Sequence, residues 1–285
     1  MTHRRATLEA LAAIALWSSL AVLGLKLRHL PPFLLVGCAL LLGALVGVRH
    51  LSLRGLRPAV LLLGVYGLFA YHFCLFLALR LAPPVEANLI NYLWPLLIVV
   101  LSPLFVAGAA LRPRHVLGAA LGFAGAGLLV TGGKLGFSAA AAPGYLLAFA
   151  AAVIWSTYSL LTRRIGAFPT SAVAAFCLIS GLLALLCHAV FEPARALAPA
   201  DLPYLLLIGL GPMGAAFYLW DRAMKHGDPR TVGTLAYLTP LLSTMLIAVS
   251  GEGRLGPTSV AATGIIVGGA VVGTWSIRGR EGAAS

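Results

Sequence analysis

Arg80-Leu81-Ala82-Pro83-Pro84-Val85-Glu86 interrupts what is otherwise one apolar run from position 58 to position 106. A bilayer crossing takes about 20 mostly apolar residues, so the run is too long for one helix and suits two. Two successive prolines stop a helix, and the flanking arginine and glutamate favour a turn that meets water. The stretch therefore reads as the tip of a hairpin between crossings at 58–80 and 84–106. Working outward, clusters of Arg, His, Pro and Gly divide the rest in the same way, with crossings at 7–25, 31–48, 113–131, 144–162, 169–190, 201–220, 230–250 and 257–277. Lys225-His-Gly-Asp-Pro229 marks the turn between the eighth and ninth. The reading is an all-α polytopic membrane protein with ten transmembrane helices.

Composition agrees. The 285 residues are 60% hydrophobic and 10% charged, where a soluble domain is about one-quarter charged. Thirty-two glycines and seventeen prolines follow no Gly-X-Y period, which removes collagen, and the hydrophobicity removes a disordered chain. A net charge of +12 on a soluble surface would suggest a nucleic-acid partner. Here the charges sit between apolar segments, with no basic face interleaved with aromatics, so no nucleic acid is expected. Arg4, Arg5, Arg49, Arg54, Arg57, Arg112, Arg114, Arg163, Arg164, Arg222, Lys225, Arg230, Arg278 and Arg280 fall on one side of the ten crossings. Only Lys26, Arg28, Arg80, Lys134, Arg195 and Arg254 fall on the other. Positive charge accumulates on the cytoplasmic side, so both termini are expected inside a bacterial cytoplasmic (inner) membrane. Met1-Thr-His-Arg-Arg5 ahead of the apolar Leu8 to Leu25 has signal-peptide polarity, but further hydrophobic segments follow, and it reads as a retained helix. Cys38, Cys74, Cys177 and Cys187 lie in apolar stretches at irregular spacing, so neither a redox pair, a metal nor a cofactor is expected.

The chain also resembles itself. Ala12-Ala-Ile-Ala-Leu-Trp-Ser18 is echoed by Ala151-Ala-Val-Ile-Trp-Ser156, and Asn91-Tyr-Leu-Trp-Pro-Leu96 by Ala236-Tyr-Leu-Thr-Pro-Leu241. Order and offset fit a duplication into repeats at 1–137 and 138–285, together one transport domain. Each repeat has five crossings, so the second enters from the opposite side and the two form an inverted pair, a geometry suited to alternating access.

Polar side chains within crossings are costly unless they face protein or a water-filled cavity, so they are the first candidates for a substrate cavity. In the first half these are Trp17, Ser18, Tyr71, His72, Glu86, Asn88, Asn91, Tyr92 and Trp94; in the second, Trp155, Ser156, Tyr158, Tyr218, Trp220 and Tyr237. Asn88, Asn91 and Tyr92 share one helix face and either line the path or hydrogen-bond across packed helices. Glu86 is a candidate for proton coupling or for contact with a substrate ammonium, and His72 for a proton relay, against structural roles at the membrane edge and in the core. Trp17 and Trp155 either bracket the cavity with aromatic walls or pack helices; Tyr218 either lines the cavity or anchors the interface. Pro95 and Pro240 are candidate gating or kink positions. Gly118/Gly122 and Gly264/Gly268 have the spacing for close helix packing, within a monomer or across a homodimer. No nucleophile–base pair supports an enzyme, and no ring of charge or carbonyl-rich filter supports a channel.

Leu11-Ala-Ala-Ile-Ala-Leu-Trp-Ser-Ser19, Val85-Glu-Ala-Asn-Leu-Ile-Asn-Tyr-Leu-Trp-Pro95 and Tyr237-Leu-Thr-Pro-Leu-Leu-Ser243 carry a resemblance over nearly the whole chain. The sequence resembles the drug/metabolite transporter superfamily, its EamA-type branch, and more narrowly the YddG group of aromatic amino-acid exporters. The resemblance implies ten helices in inverted five-helix repeats and a central cavity that exports amino acids, especially aromatic ones; the alternatives are an exporter or importer of another small metabolite or drug, and after those a channel. By motif position it carries Trp17, Glu86, Asn91, Tyr92, Trp94, Trp155, Tyr237 and Pro240 into the site. Thr239 stands where the first repeat has Trp94, so the implied cavity is not symmetric.

Overall fold

In the computed structural model, residues 3–50, 56–165, 167–252 and 255–275 are described. Met1 and Thr2, the loop charges Arg54, Arg254, Arg278 and Arg280, and the end of the last expected crossing at 276–277 lie outside the described residues. Among the described residues all regular structure is helical. The main segments are α1 (His3–Lys26), α2 (Pro32–Leu45), α3 (Pro58–Leu81), α4 (Pro84–Phe105), α5 (Pro113–Thr131), α6 (Ala139–Leu161), α7 (Ala172–Phe191), α8 (Pro199–His226), α9 (Pro229–Val249) and α10 (Pro257–Thr274). All but α2 are long and apolar enough to cross a bilayer. Leu62, Leu104, Leu146, Val190 and Val260 point outward, giving the bundle an exterior suited to lipid. The chain is a multi-pass membrane protein.

α1 starts at His3 rather than position 7 and α6 at Ala139 rather than position 144, and two other segments, α2 and α8, also depart from the expected limits. α2 has 14 residues, about 21 Å of helix, and gives way to a turn and the 3-10 helix Val48–His50 before position 48 is passed in helical form. α8 continues past position 220 to His226, because its charged end is neutralised within the bundle. Arg222 binds Glu9 of α1, and Lys225 binds Asp221 at 2.8 Å while sitting 3.6 Å over the Phe168 ring. Charges that read as a loop thus become the last turns of a helix.

Several segments are interrupted where the cavity lies. Wider π turns occupy Tyr66–Ala70 in α3 and Gly211–Ala215 in α8. α4 breaks at Tyr92–Leu93 into Pro84–Asn91 and Trp94–Phe105; α9 breaks at Ala236–Tyr237 into Pro229–Leu235 and Leu238–Val249. Pro95 and Pro240 fall in the first turn of the new helix, where a missing N–H costs little. The α4 break is held open from the second half of the chain. The Tyr237 hydroxyl accepts from the Leu96 N–H at 3.1 Å and donates to the Tyr92 carbonyl at 3.2 Å, taking the place of the direct i→i−4 bond.

Most of the main helix pairings are kept when each segment is exchanged for the one five places away, although α5 also packs on α9 without a comparable α10–α4 contact. α3 packs on α6 as α8 packs on α1; α4 packs on α6 as α9 packs on α1; α3 packs on α7 as α8 packs on α2. α2–α7, α4–α9 and α5–α10 map onto themselves. The α5–α10 seam is the tightest. A Cβ at Gly118 would stand 2.5 Å from the Gly273 backbone, and one at Gly122 would meet the Tyr237 ring. Gly264 and Gly268, by contrast, have nothing within 4 Å of a built Cβ and lie on the outer face.

Candidate functional site

Seven segments converge on a cavity of about 360 Å³. That is near the lower end of the roughly 300–1,000 Å³ usual for small-molecule sites. Its wall uses the second half of α1 from Trp17 to Gly24, the first turns of α2, Tyr71 to Phe76 of α3, Asn88 to Trp94 of α4, Trp155 of α6, Ile208 to Phe217 of α8, and Thr239 and Ser243 of α9. The parts from α1, α2, α3 and α9 lie toward the face that carries the α1–α2 and α3–α4 loops, while Trp94, Trp155 and the α8 residues sit at mid-helix or deeper. Among the described residues no Asp, Glu, Lys or Arg lines it.

Aromatic rings close the inner end. Trp17 stands 5.6 Å from Trp155, 5.0 Å from Trp220 and 6.1 Å from Phe217 between ring centroids, and Trp94 stands 5.6 Å from Trp220. Most of these pairs are edge-to-face or tilted, the arrangement the ring quadrupole favours. Two rings are locked by hydrogen bonds: Trp17 Nε1 donates to the Pro212 carbonyl at 3.1 Å, and Trp220 Nε1 to Ser159 Oγ at 3.0 Å. The Pro212 carbonyl belongs to the π turn of α8. Beyond the rings, toward the opposite face, Glu9–Arg222, Asp221–Lys225 and the bond from Thr170 to Asp221 at 2.6 Å tie α1 and α8 to the start of α7. Arg163, after α6, donates to the Lys225 carbonyl in the same layer.

Polar groups of the wall gather on α3 and α4. Asn91 Nδ2 donates to the Tyr71 hydroxyl at 3.3 Å. His72 Nδ1 lies 2.6 Å from the Leu68 carbonyl, which requires the proton on Nδ1 and leaves Nε2 as an acceptor in the neutral ring. Asn88, Asn91 and Tyr92 all reach the wall, as one helix face should.

Of the residues singled out in the sequence, Trp17, Tyr71, His72, Asn88, Asn91, Tyr92, Trp94 and Trp155 line the cavity. Trp220 is buried behind the rings. Ser18 bonds to the carbonyls of Ile14 and Thr239, and Ser156 to that of Val153. Tyr158 packs its ring on Gly67 in the π turn of α3, Tyr218 packs on Gly47, and Tyr237 bridges the α4 break. Glu86 lies at the outer start of α4, away from the lining, and accepts the Gly136 N–H at 3.1 Å from the loop before α6. Sequence reasoning passed over Met213, Phe217, Thr239 and Ser243 as wall residues. Spacing could have found them: 213, 217 and 220 share one face of α8, which Tyr218 does not, and Thr239 and Ser243 are an i,i+4 polar pair on α9.

A described set of ten apolar helices around one uncharged, ring-floored space defines a multi-pass membrane protein that can enclose a small molecule. Residues 5–131 and again 142–275 match the EamA-like transporter family, and the chain belongs to that family. It is 44% identical over 283 residues to the aromatic amino acid exporter YddG of Ancylobacter novellus, covering 96% of this chain and 98% of that protein. It is 31% identical to the aromatic amino acid exporter YddG of Salmonella typhimurium strain 14028s, over 87% of this chain and 89% of the other. A crystal structure of a protein 45% identical in sequence superposes with a TM-score of 0.91, covering 96% of this chain and 97% of that one.

Proposed function

We propose that this protein exports aromatic amino acids, and more weakly other neutral amino acids or related metabolites, across a bacterial cytoplasmic membrane by alternating access. The observation that carries the reading is the cavity itself: a volume of amino-acid scale, aromatic rings at one end and neutral hydrogen-bonding groups on the wall. Rings of Trp17, Trp94, Trp155 and Phe217 suit a planar side chain, and a wall without full charges suits a zwitterion of no net charge. The relatives named as aromatic amino acid exporters support the same cargo. A closed floor of rings backed by ion pairs is unlike a continuous pore, which speaks against a channel.

The inverted-repeat reading, with halves at 1–137 and 138–285, is supported by the two family matches, the paired π turns and breaks, and a pairing scheme largely kept under a shift of five. Among the described residues eleven Lys and Arg lie on the ring-closed side and five on the other, which makes the ring-closed side cytoplasmic by the positive-inside rule, with both termini expected there. The arrangement is then the outward-facing member of the cycle. Pro95 and Pro240, just past the breaks, are the pivots. Transport runs down the amino-acid gradient without a coupling ion: Glu86 serves the loop at Gly136, and the His72 Nδ1 proton is committed to Leu68.

Reconstituted vesicles should show saturable, protein-dependent flux of intact phenylalanine, tyrosine and tryptophan. No flux of any of them across a small amino-acid panel would sink the cargo, and sustained ionic current would replace the carrier with a channel. Glu86→Gln should leave the response to an imposed proton gradient unchanged; a lost response would make Glu86 the coupling site.

A further inference from the structure

We propose that the zwitterionic end of the substrate is held between two fixed points, its α-ammonium at the Asn91 side-chain carbonyl and its α-carboxylate at the Thr239 hydroxyl. The assignment rests on the amino-acid reading above. Asn91 Oδ1 and Thr239 Oγ1 are both closed to water and have no hydrogen-bond partner, yet both residues belong to the cavity wall. A buried polar atom without a partner is costly and rare, and a ligand group is one reason for a site to retain it.

The surroundings give each atom its sign. The Asn91 amide is 5% exposed and its Nδ2 is committed to Tyr71, so only the carbonyl oxygen remains, an acceptor that a cation can satisfy. His72 Nε2 on the neighbouring wall is a second neutral acceptor. Thr239 is unlike other threonines in these helices. Thr131, Thr234, Thr244 and Thr263 each donate to the carbonyl four residues back, at 2.7–2.9 Å. Thr239 has no such bond, because the α9 break lies at positions 236–237 immediately before it. Its hydroxyl proton is therefore free, and it stands in the first turn of Leu238–Val249, where the helix dipole favours an anion. A χ1 turn at Thr239 moves its hydroxyl without disturbing the backbone, whereas Asn91 keeps its χ2 and its bond to Tyr71, so it is a neighbouring side chain that yields to the ammonium there. No charged side chain competes for either end of the zwitterion. The two points lie in different halves of the chain, on α4 and α9, and line the same cavity.

The test is competition against radiolabelled phenylalanine flux in vesicles, with phenylalaninamide, which lacks the carboxylate, and 3-phenyllactate, which lacks the ammonium. With the wild-type protein both analogues should compete about tenfold or more less well than phenylalanine, the scale of one lost charge-assisted hydrogen bond. Thr239→Val should weaken phenylalanine by a similar factor and leave phenylalaninamide unchanged; Asn91→Leu should weaken phenylalanine and leave phenyllactate unchanged. Thr239→Ser should restore the wild-type ranking. If both analogues compete as well as phenylalanine with the wild-type protein, or if each variant weakens all three compounds equally, the assignment is overturned while amino-acid export stands. Wild-type vesicles that move no phenylalanine overturn the amino-acid reading, and the assignment with it. The wild-type ranking needs no variant, so a misfolded substitution does not shield the proposal.

Discussion

Replacing Gly118 by Ala places one methyl group into the α5–α10 seam, and the geometry sets the size of the effect. The new Cβ would sit 2.5 Å from both Cα and N of Gly273 and 2.7 Å from the Gly269 carbonyl oxygen. Ordinary contact begins at 3.4 Å, so the two backbones must part by nearly one ångström, and backbone has no flexible end that can swing away. Overpacking of this kind costs about 1–3 kcal/mol, and the better helix propensity of alanine returns at most about 1 kcal/mol. The net loss of about 1–2 kcal/mol corresponds to a roughly 5–30-fold shift toward the unfolded form. Gly264→Ala is the control on the same seam's far side: its Cβ meets nothing within 4 Å, so the expected change is zero or slightly favourable. Both variants can be followed by loss of helical circular dichroism as SDS is titrated into dodecyl maltoside micelles. The midpoint of Gly118→Ala should fall and that of Gly264→Ala should not. Equal midpoints, or the reverse order, would refute the claim that Gly118 packs against α10 and Gly264 faces outward.

Tyr237→Phe removes the hydroxyl between the Leu96 N–H and the Tyr92 carbonyl; the two groups should then pair directly, slowing hydrogen exchange at Leu96 and lowering flux, and unchanged exchange would refute the bridging role. Asp228 starts the second element of the α8–α9 turn by accepting the Arg230 N–H and pairs with its guanidinium at 2.9 Å. Burial pushes its carboxyl up, but the hydrogen bonds and charge of Arg230 outweigh this and hold it below the ordinary aspartate value of 3.8. Its contribution is thus complete above that value and lost as pH falls through the depressed one; the stability difference between wild type and Asp228→Asn should shrink on acidification below pH 3.8, and a constant difference would contradict the pairing. Trp155→Leu removes ring contacts to Trp17 at 5.6 Å and Tyr71 at 5.3 Å and should raise the tryptophan concentration for half-maximal flux by about 2–10-fold while sparing leucine. Equal effects on both would show that Trp155 does not grade side chains.

Much of the fold is written in the chain's apolar runs. The hairpin at Arg80–Glu86 fixed the number of crossings, because two prolines inside a run too long for one bilayer leave no other solution. Limits at the α3–α4 hairpin and at α5 held to within a residue, but they moved at α1, where Arg4 and Arg5 are helical, at α2, which ends at Leu45, before Arg49, and most of all at α8, where Asp221, Arg222 and Lys225 are helical. Those charges pair with Glu9, Phe168 and one another, and partners far away in sequence leave no local sign. The cavity was legible as residue types and less so as faces. Asn88, Asn91 and Tyr92 reach it at the spacing of one helix stripe, whereas Tyr218 and Phe217 are neighbours in the chain that point to different places. Tyr237 looks in sequence like the twin of Tyr92, and nothing local foretells that its hydroxyl would enter another helix's ladder.

Tyr92 and Tyr237 occupy matched places in two similar stretches but have parted company: one ring looks into the cavity, while the other is consumed in holding a helix open. Trp94 and Thr239 have parted in the same way, into a flat apolar surface and a small hydroxyl. A pocket whose halves were identical would present the same groups to either end of its guest, and could not distinguish head from tail. Divergence at these two pairs of positions gives the cavity two unlike ends. A chiral cargo with unlike ends can then be accepted in one pose rather than two.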